Sequence, residues 1–150
     1  MRPQSAKSKG RRLQQKIVAD IYETFPELGE GDARSTSMGA GGEDIQLSAA
    51  ARVLIPFSFE AKNQERVNVW DAYNQCKSNC GEHAPAVVIK KNNSDILCIV
   101  QWPTFLSMLR TMRQSTRVCA EHNVADECHS IPDQLRKIAS IVEMQNMSVD

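Results

Sequence analysis

The sequence predicts an α+β (α/β) fold, a central mixed β-sheet flanked by helices. Three observations lead there. An apolar stripe with a spacing of four opens the chain, placing Leu13, Ile17, Ile21 and Phe25 on one helical face. Short β-rich runs follow at 44–48, 53–62, 85–90 and 95–101. A second helical pattern over 67–80 divides the first pair of runs from the second. The order is therefore helix, strands, helix, two strands, helix.

Each element has a local signal. Val18 and Tyr22 widen the first stripe, and Pro26 and Gly29 end it. Residues 29–43 are rich in Gly, Ser and Asp, with GAGG at 39–42, and read as a loop. A short strand is expected across Ala33 to Met38. Asp44-Ile45-Gln46-Leu47-Ser48 alternates as a strand does. Val53 to Lys62 is expected to be another, with Pro56 marking an edge or a bulge. Val69, Trp70, Tyr73 and Cys76 or Lys77 recur on successive turns of the next helix, which Gly81 stops. Lys91 to Ser94 form a turn between the last two strands. Pro103 opens a helix through about Arg113, since a first turn tolerates proline. Leu135, Ile138, Ile141 and Val142 make one more amphipathic face after the break at Ile131-Pro132.

The chain has 150 residues, enough for one domain with a real core. Residues 1–113 are expected to form that domain with a basic N-terminal arm, and 114–150 a helical extension of it. Charged residues are 24% and hydrophobic ones 41%, which excludes disordered and collagen-like classes. Apolar runs are too short for a membrane span. No basic-plus-apolar leader is evident, so a secretory signal is not expected. Five cysteines exclude a fully paired disulfide framework and suggest a reducing compartment, hence a cytoplasmic location. Cys119, His122, Cys128 and His129 fit no usual zinc spacing, and free thiols packed on helices are the expectation.

Eighteen basic and eighteen acidic residues balance, so only local charge can indicate a partner. The first sixteen residues hold Arg2, Lys7, Lys9, Arg11, Arg12 and Lys16 and no acid. Such an arm, loose at its start, suits a phosphate backbone. Chemistry concentrates on Asp44, Glu60 and Lys62. Glu60 and Lys62 are two apart on an expected strand, so both face one way. Asp44 begins the preceding strand beside the glycine-rich loop. If the strands pair, two carboxylates and an ammonium meet at a sheet end. Two hard oxygen donors suit Mg²⁺, and the Ala61 carbonyl could add a third. Such an ion activates a phosphodiester and a bound water, while Lys62 holds the phosphate or orients the water.

These residues also stand in a recognisable order. Helix, glycine-bearing loop, D-x-x-x-S at 44–48, Phe59-Glu60-Ala61-Lys62, then helix and strands resembles the PD-(D/E)XK nuclease superfamily. Within it the chain is most similar to small archaeal-type Holliday junction resolvases and related phage nucleases. K-G-R-R-L-Q-Q at 9–15 resembles their first helix. Arg34-Ser35-Thr36-Ser37 followed by Gly41-Gly42-Glu43-Asp44-Ile45 resembles their R-S-x-G-S-x-G-x-D-[LI] segment. The likeness covers roughly residues 9 to 110.

The resemblance implies a restriction-endonuclease-like αβββαβ core. It implies metal binding by Asp44 and Glu60 and a catalytic Lys62. Gln75 falls where many members place a site-facing glutamine, and Gln64 continues the strand face beyond Lys62. The resemblance also suggests phosphate contact or a minor catalytic role for Ser35 or Ser37, with Arg34 and the Lys9, Arg11 and Arg12 of the basic arm as further DNA contacts. Two departures stand out. Gln14 or Gln15 occupies the place of a first-helix glutamate, with Glu23 two turns further on, and Glu43 replaces the motif proline. The expected function is a Mg²⁺-dependent DNA endonuclease, with Mn²⁺ able to substitute. Branched or junction DNA is its expected substrate and a symmetric homodimer its expected form, in a bacterial, archaeal or phage-infected cell. The alternatives are a restriction- or repair-type nuclease of the same fold, or a DNA-binding module without catalysis. Trp70 offers a base-stacking platform, but a tryptophan at helical spacing is more often core, and core is the expectation.

Overall fold

The structure, a computed structural model, describes residues 3–37 and 41–121. The chain divides into two units, Met1–Gln101 and Trp102–Asp150. The first unit runs α1 (Pro3–Thr24), β1 (Ala33–Ser35), β2 (Ile45–Leu47), α2 (Ala49–Leu54), β3 (Phe57–Asn63), α3 (Val69–Asn79), β4 (Ala84–Lys90) and β5 (Leu97–Ile99). The expected α+β class is what these elements form. Among the described residues, no helix is long and apolar enough to cross a membrane.

α1 begins well before the apolar stripe, so the basic segment from Pro3 onward is helix rather than a loose arm. Lys, Arg and Gln are good helix formers, and Pro3 suits a first turn. The stripe then buries Leu13, Ile17 and Ile21. They pack with Ala33, Ile45, Ile55, Ala61 and Val88 on one face of the sheets. The opposite face of β4 carries Val87, which packs with Ala72 and Cys76 of α3. β3 and β4 are parallel, joined by the α3 crossover, with Glu60 opposite Val87 and Asn63 opposite Lys90. β5 pairs antiparallel with β4.

The expected strand over 53–62 is corrected: its first residues are helical. Ser48 caps α2, its hydroxyl accepting the Ala51 N–H at 3.1 Å. Three alanines then favour helix over strand. Val53, read as an apolar strand position, is 83% exposed at the end of α2. Pro56 lies just before β3, and its carbonyl accepts the Ala84 N–H at 3.0 Å. The strand expected over 95–101 is confined to Leu97–Ile99.

A single central sheet is also corrected. β1 and β2 form an antiparallel pair, and β3, β4 and β5 a separate mixed sheet. The Asp44 N–H does donate to the Phe59 carbonyl at 3.2 Å. One step further along β3, the Ala61 N–H donates to the Asp44 carboxylate at 2.7 Å. A side chain there takes the ladder position that a backbone carbonyl would fill, so the two sheets meet without merging.

In the second unit, α4 (Trp102–Glu121) extends past the expected end near Arg113. The rings of Trp102 and Phe105, one turn apart, lie 5.8 Å from each other. The expected face of Leu135, Ile138, Ile141 and Val142, the break at Ile131-Pro132, and His122, Cys128 and His129 lie outside the described residues. So do Met38 and the first half of the GAGG turn. Cys76, Cys80 and Cys98 are free thiols.

Candidate active site

Asp44 sits where β2 approaches the open edge of β3. Its backbone is fixed on both sides, since its carbonyl accepts the Thr36 N–H at 2.8 Å and its own N–H reaches Phe59. Its carboxylate is fixed too. One oxygen accepts Gln14 Nε2 at 2.8 Å and the other accepts the Ala61 N–H. Phe59 and Ala61 both turn their N–H and C=O groups to this edge, so the Ala61 carbonyl emerges beside Asp44.

Glu60 and Lys62 project from β3 toward α3, as alternation requires. Glu60 is only 2% exposed. Its Oε1 pairs with Lys62 Nζ at 2.6 Å, and Lys62 also donates to Gln75 Oε1 at 2.9 Å. Burial pushes the Glu60 carboxyl above its ordinary value, and the nearby Asp44 charge pushes the same way. Lys62 opposes both by favouring the ionised form. Asp44, Glu60, Lys62 and Gln75 therefore converge, two acids facing each other at the sheet edge and a lysine held between an acid and an amide.

Gln14 adds a fourth oxygen. It is 8% exposed, and an ionised Asp44 can only accept, so the Gln14 amide must turn its NH₂ there. Its Oε1 is left buried without a hydrogen-bond partner. Such an orphan costs about 1–3 kcal/mol unless something donates to it or coordinates it. Among the described residues, no group of three or more His, Cys, Asp or Glu side chains could hold a metal. The donor set here is different: two carboxylates, an orphaned amide oxygen and a strand-edge carbonyl. All are hard oxygens, and that set fits Mg²⁺, which binds through one or two carboxylates and keeps several waters. Glu23 is exposed and takes no part.

Other expected residues lie apart from this cluster. Arg34 Nε donates to Gln46 Oε1 at 2.9 Å across the β1–β2 pair. Ser35 is half-buried in β1 and Ser37 is exposed beyond it, and neither side chain bonds to Asp44 or Glu60. Gln64 follows the end of β3 and lines a separate cleft with Glu65, Val67 and Lys90, so it does not extend the site. Arg11 and Arg12 are exposed on α1, and Lys9 Nζ reaches Asn92 Oδ1 at 2.8 Å. Trp70, expected to be core, is 77% exposed in the first turn of α3.

Three supports escaped the sequence reading. Arg52 of α2 pairs with Glu43 and donates to the Phe57 carbonyl at 2.5 Å, tying the residue before Asp44 to the start of β3. Asn79 Nδ2 donates to the Gly42 carbonyl at 3.1 Å, pinning the glycine loop to α3. Gly42 has a φ of 105°, where a side chain would be strained. Cys76 packs beneath Glu60's strand, its Sγ 3.3 Å from the Ser58 carbonyl, and burial pushes its thiol up to about 11. Only Ser48-Ala-Ala-Ala, as a cap and helix start, could have flagged the first of these. No protein-family model, curated protein or solved structure matches the chain.

Proposed function

We propose that the protein is a Mg²⁺-dependent DNA endonuclease of the PD-(D/E)XK kind. The observation that carries this reading is the convergence of Asp44, Glu60 and Lys62 at the edge of β3, with the Gln14 oxygen left unpartnered beside them. Asp44 and Glu60 would hold the ion, with the Ala61 carbonyl and Gln14 Oε1 as further oxygen donors. When bound, Mg²⁺ supplies a Lewis acid for the phosphodiester and makes a water more acidic.

The chain's own groups do the rest. An ammonium has three donors. Glu60 and Gln75 take two of those of Lys62, which aims the third outward at a phosphate oxygen or the attacking water. The fixed cation stabilises charge that develops on the phosphate as the bond breaks. Gln75 sets the direction of Lys62 rather than touching substrate. Phosphate esters hydrolyse extremely slowly unaided, so electrostatic help of this kind has large scope.

Branched or junction DNA is the substrate the sequence resemblance favours, and a symmetric dimer would supply one site per strand. The free thiols suit a reducing cytoplasm. The test incubates four-way junction, linear duplex and single-stranded DNA with Mg²⁺, with and without chelator. Chelator-sensitive cutting of the junction alone supports a resolvase, and general nicking supports another nuclease of this fold. Binding without cutting of any substrate overturns the enzymatic reading.

A further inference from the structure

The chain is neutral as a whole, yet its charge is not evenly spread. A groove of about 430 Å³ lies between α1 and the turn that joins β4 to β5. Lys9, Arg12 and Lys16 line one wall, and Lys90 and Lys91 the other. No carboxylate lines it. Among the described residues, only Lys16 of these five cations is ion-paired, with Asp20 on its own helix. Glu65 and Asp95 line the neighbouring cleft, which shares Lys90 and Lys91 with the groove, and the Glu65 carboxylate accepts the Asn92 N–H at 3.0 Å.

The walls are tied together by neutral groups. Lys9 Nζ donates to Asn92 Oδ1 at 2.8 Å, and Asn63 Nδ2 donates to the Lys9 carbonyl at 3.0 Å. Lys90 Nζ donates to the Ser94 carbonyl at 2.6 Å, and the Ser94 hydroxyl accepts the Lys91 N–H at 3.2 Å. Asn93 takes a positive φ of 52° inside this turn. The groove thus spends its hydrogen bonds on shape, and Lys9, Arg12, Lys90 and Lys91 have no ion-pair partner among the described residues.

Spacing identifies the ligand class. Lys9, Arg12 and Lys16 fall at i, i+3 and i+7, on one helical face spanning about 10 Å. A single phosphate cannot meet cations spread over that length, whereas a chain with a charge every few ångströms can. We propose that this groove binds the phosphodiester backbone of nucleic acid, and that it does so without any metal or cleavage. The inference rests on the nucleic-acid part of the function proposed above, not on its chemistry.

The groove lies on the reverse side of β3 from Glu60 and Lys62, while Asp44 sits at the strand edge between the two. Asn63 and Lys90 are register partners, one residue beyond Lys62 and Ile89. Alternation turns them toward α1, while Glu60 and Lys62 face α3. A strand held in the groove reaches the acids by crossing the carboxyl ends of β3 and β4.

The test measures fluorescence anisotropy of a short labelled duplex, and of its single strand, in EDTA across a salt series. Wild type and Glu60→Gln are expected to bind alike. Arg12→Gln with Lys91→Gln removes one exposed charge from each wall. The salt slope should fall by about two units, and affinity about tenfold or more, for duplex. Arg12→Lys with Lys91→Arg should restore both, and Lys77→Gln on α3 should change neither. Unchanged affinity and slope in the double Gln variant overturn the groove even if cleavage persists. Absence of nucleic-acid binding by wild type, with sedimentation on phosphatidylserine vesicles instead, also overturns it. Loss of cleavage alone, with the slopes as expected, sinks the nuclease reading and leaves the groove standing.

Discussion

Gln14 is the residue on which the site's character turns. Its Nε2 holds Asp44 and its Oε1 is buried without a partner. Gln14→Glu would bring a third carboxylate against Asp44 and Glu60. In EDTA that variant should melt below wild type, because like charges at close range repel in a buried place. With Mg²⁺ or Mn²⁺ added, its Tm should rise further than that of wild type, since ligand linkage scales with affinity for the folded state. A thermal shift with the same increment in both proteins would count against cation binding at this position. Asp32 offers a pH test. Its carboxylate accepts the Ser48 hydroxyl at 2.6 Å and the Gly29 N–H at 2.7 Å. Those bonds, the hydroxyl's first, hold its pKa below the ordinary 3.8. An acid with a depressed folded value stabilises above its unfolded value and loses that contribution as pH falls through the folded one. Wild type should therefore be more stable than Asp32→Asn near neutrality, and the gap should close below about pH 3.8. Urea melts of both proteins across that range would show it.

At the scale of elements, α2 is the piece that periodicity misread. Val53, Leu54 and Ile55 look like a strand when counted with Phe57 and Phe59. Ser48 and three alanines make them the end of a capped helix instead. β-branched residues carry only a weak preference, and a cap plus a compatible turn overrides it. Ser48→Ala should cost at least about 1 kcal/mol, read from denaturant midpoints, because it removes both the cap and the hydroxyl's bond to Asp32. Arg52→Gln should leave the fold intact but weaken divalent-cation binding, because it frees Glu43 from α2 and loosens the backbone that delivers Asp44. Unaltered cation affinity in that variant would show that α2 does not position the acid. Glu60 and Lys62 on one face of β3 were legible because strand alternation is a local rule, whereas Gln75 was marked only by the family resemblance and Asp44 meets β3 through its side chain rather than by the expected strand pairing. The pairing of Gln14 with Asp44, the Arg52–Glu43 clamp and the Asn79–Gly42 contact join residues distant in sequence, and no spacing marks them. The basic segment misled for another reason. A run of cations with no acid among them reads as a solvated tail, yet the same residues propagate helix once Leu13, Ile17 and Ile21 anchor one end in the core.

For the molecule as a whole, β3 presents two chemically different faces. Odd-numbered residues from Phe57 to Asn63 face α1, its core and its cations, while Glu60 and Lys62 face α3. Neutral net charge hides that arrangement, because the acids lie outside the groove and not within it. On the proposed function, nucleic-acid binding and bond cleavage are separable: salt should govern the first and divalent cation the second. The direct measurement is hydrolysis of four-way junction and linear duplex DNA by wild type and Glu60→Gln at matched folded concentration in Mg²⁺. Wild type should cut at least one substrate, while Glu60→Gln binds it and leaves it whole. Cutting by Glu60→Gln at the wild-type rate, or no cutting by either protein, contradicts the proposed function.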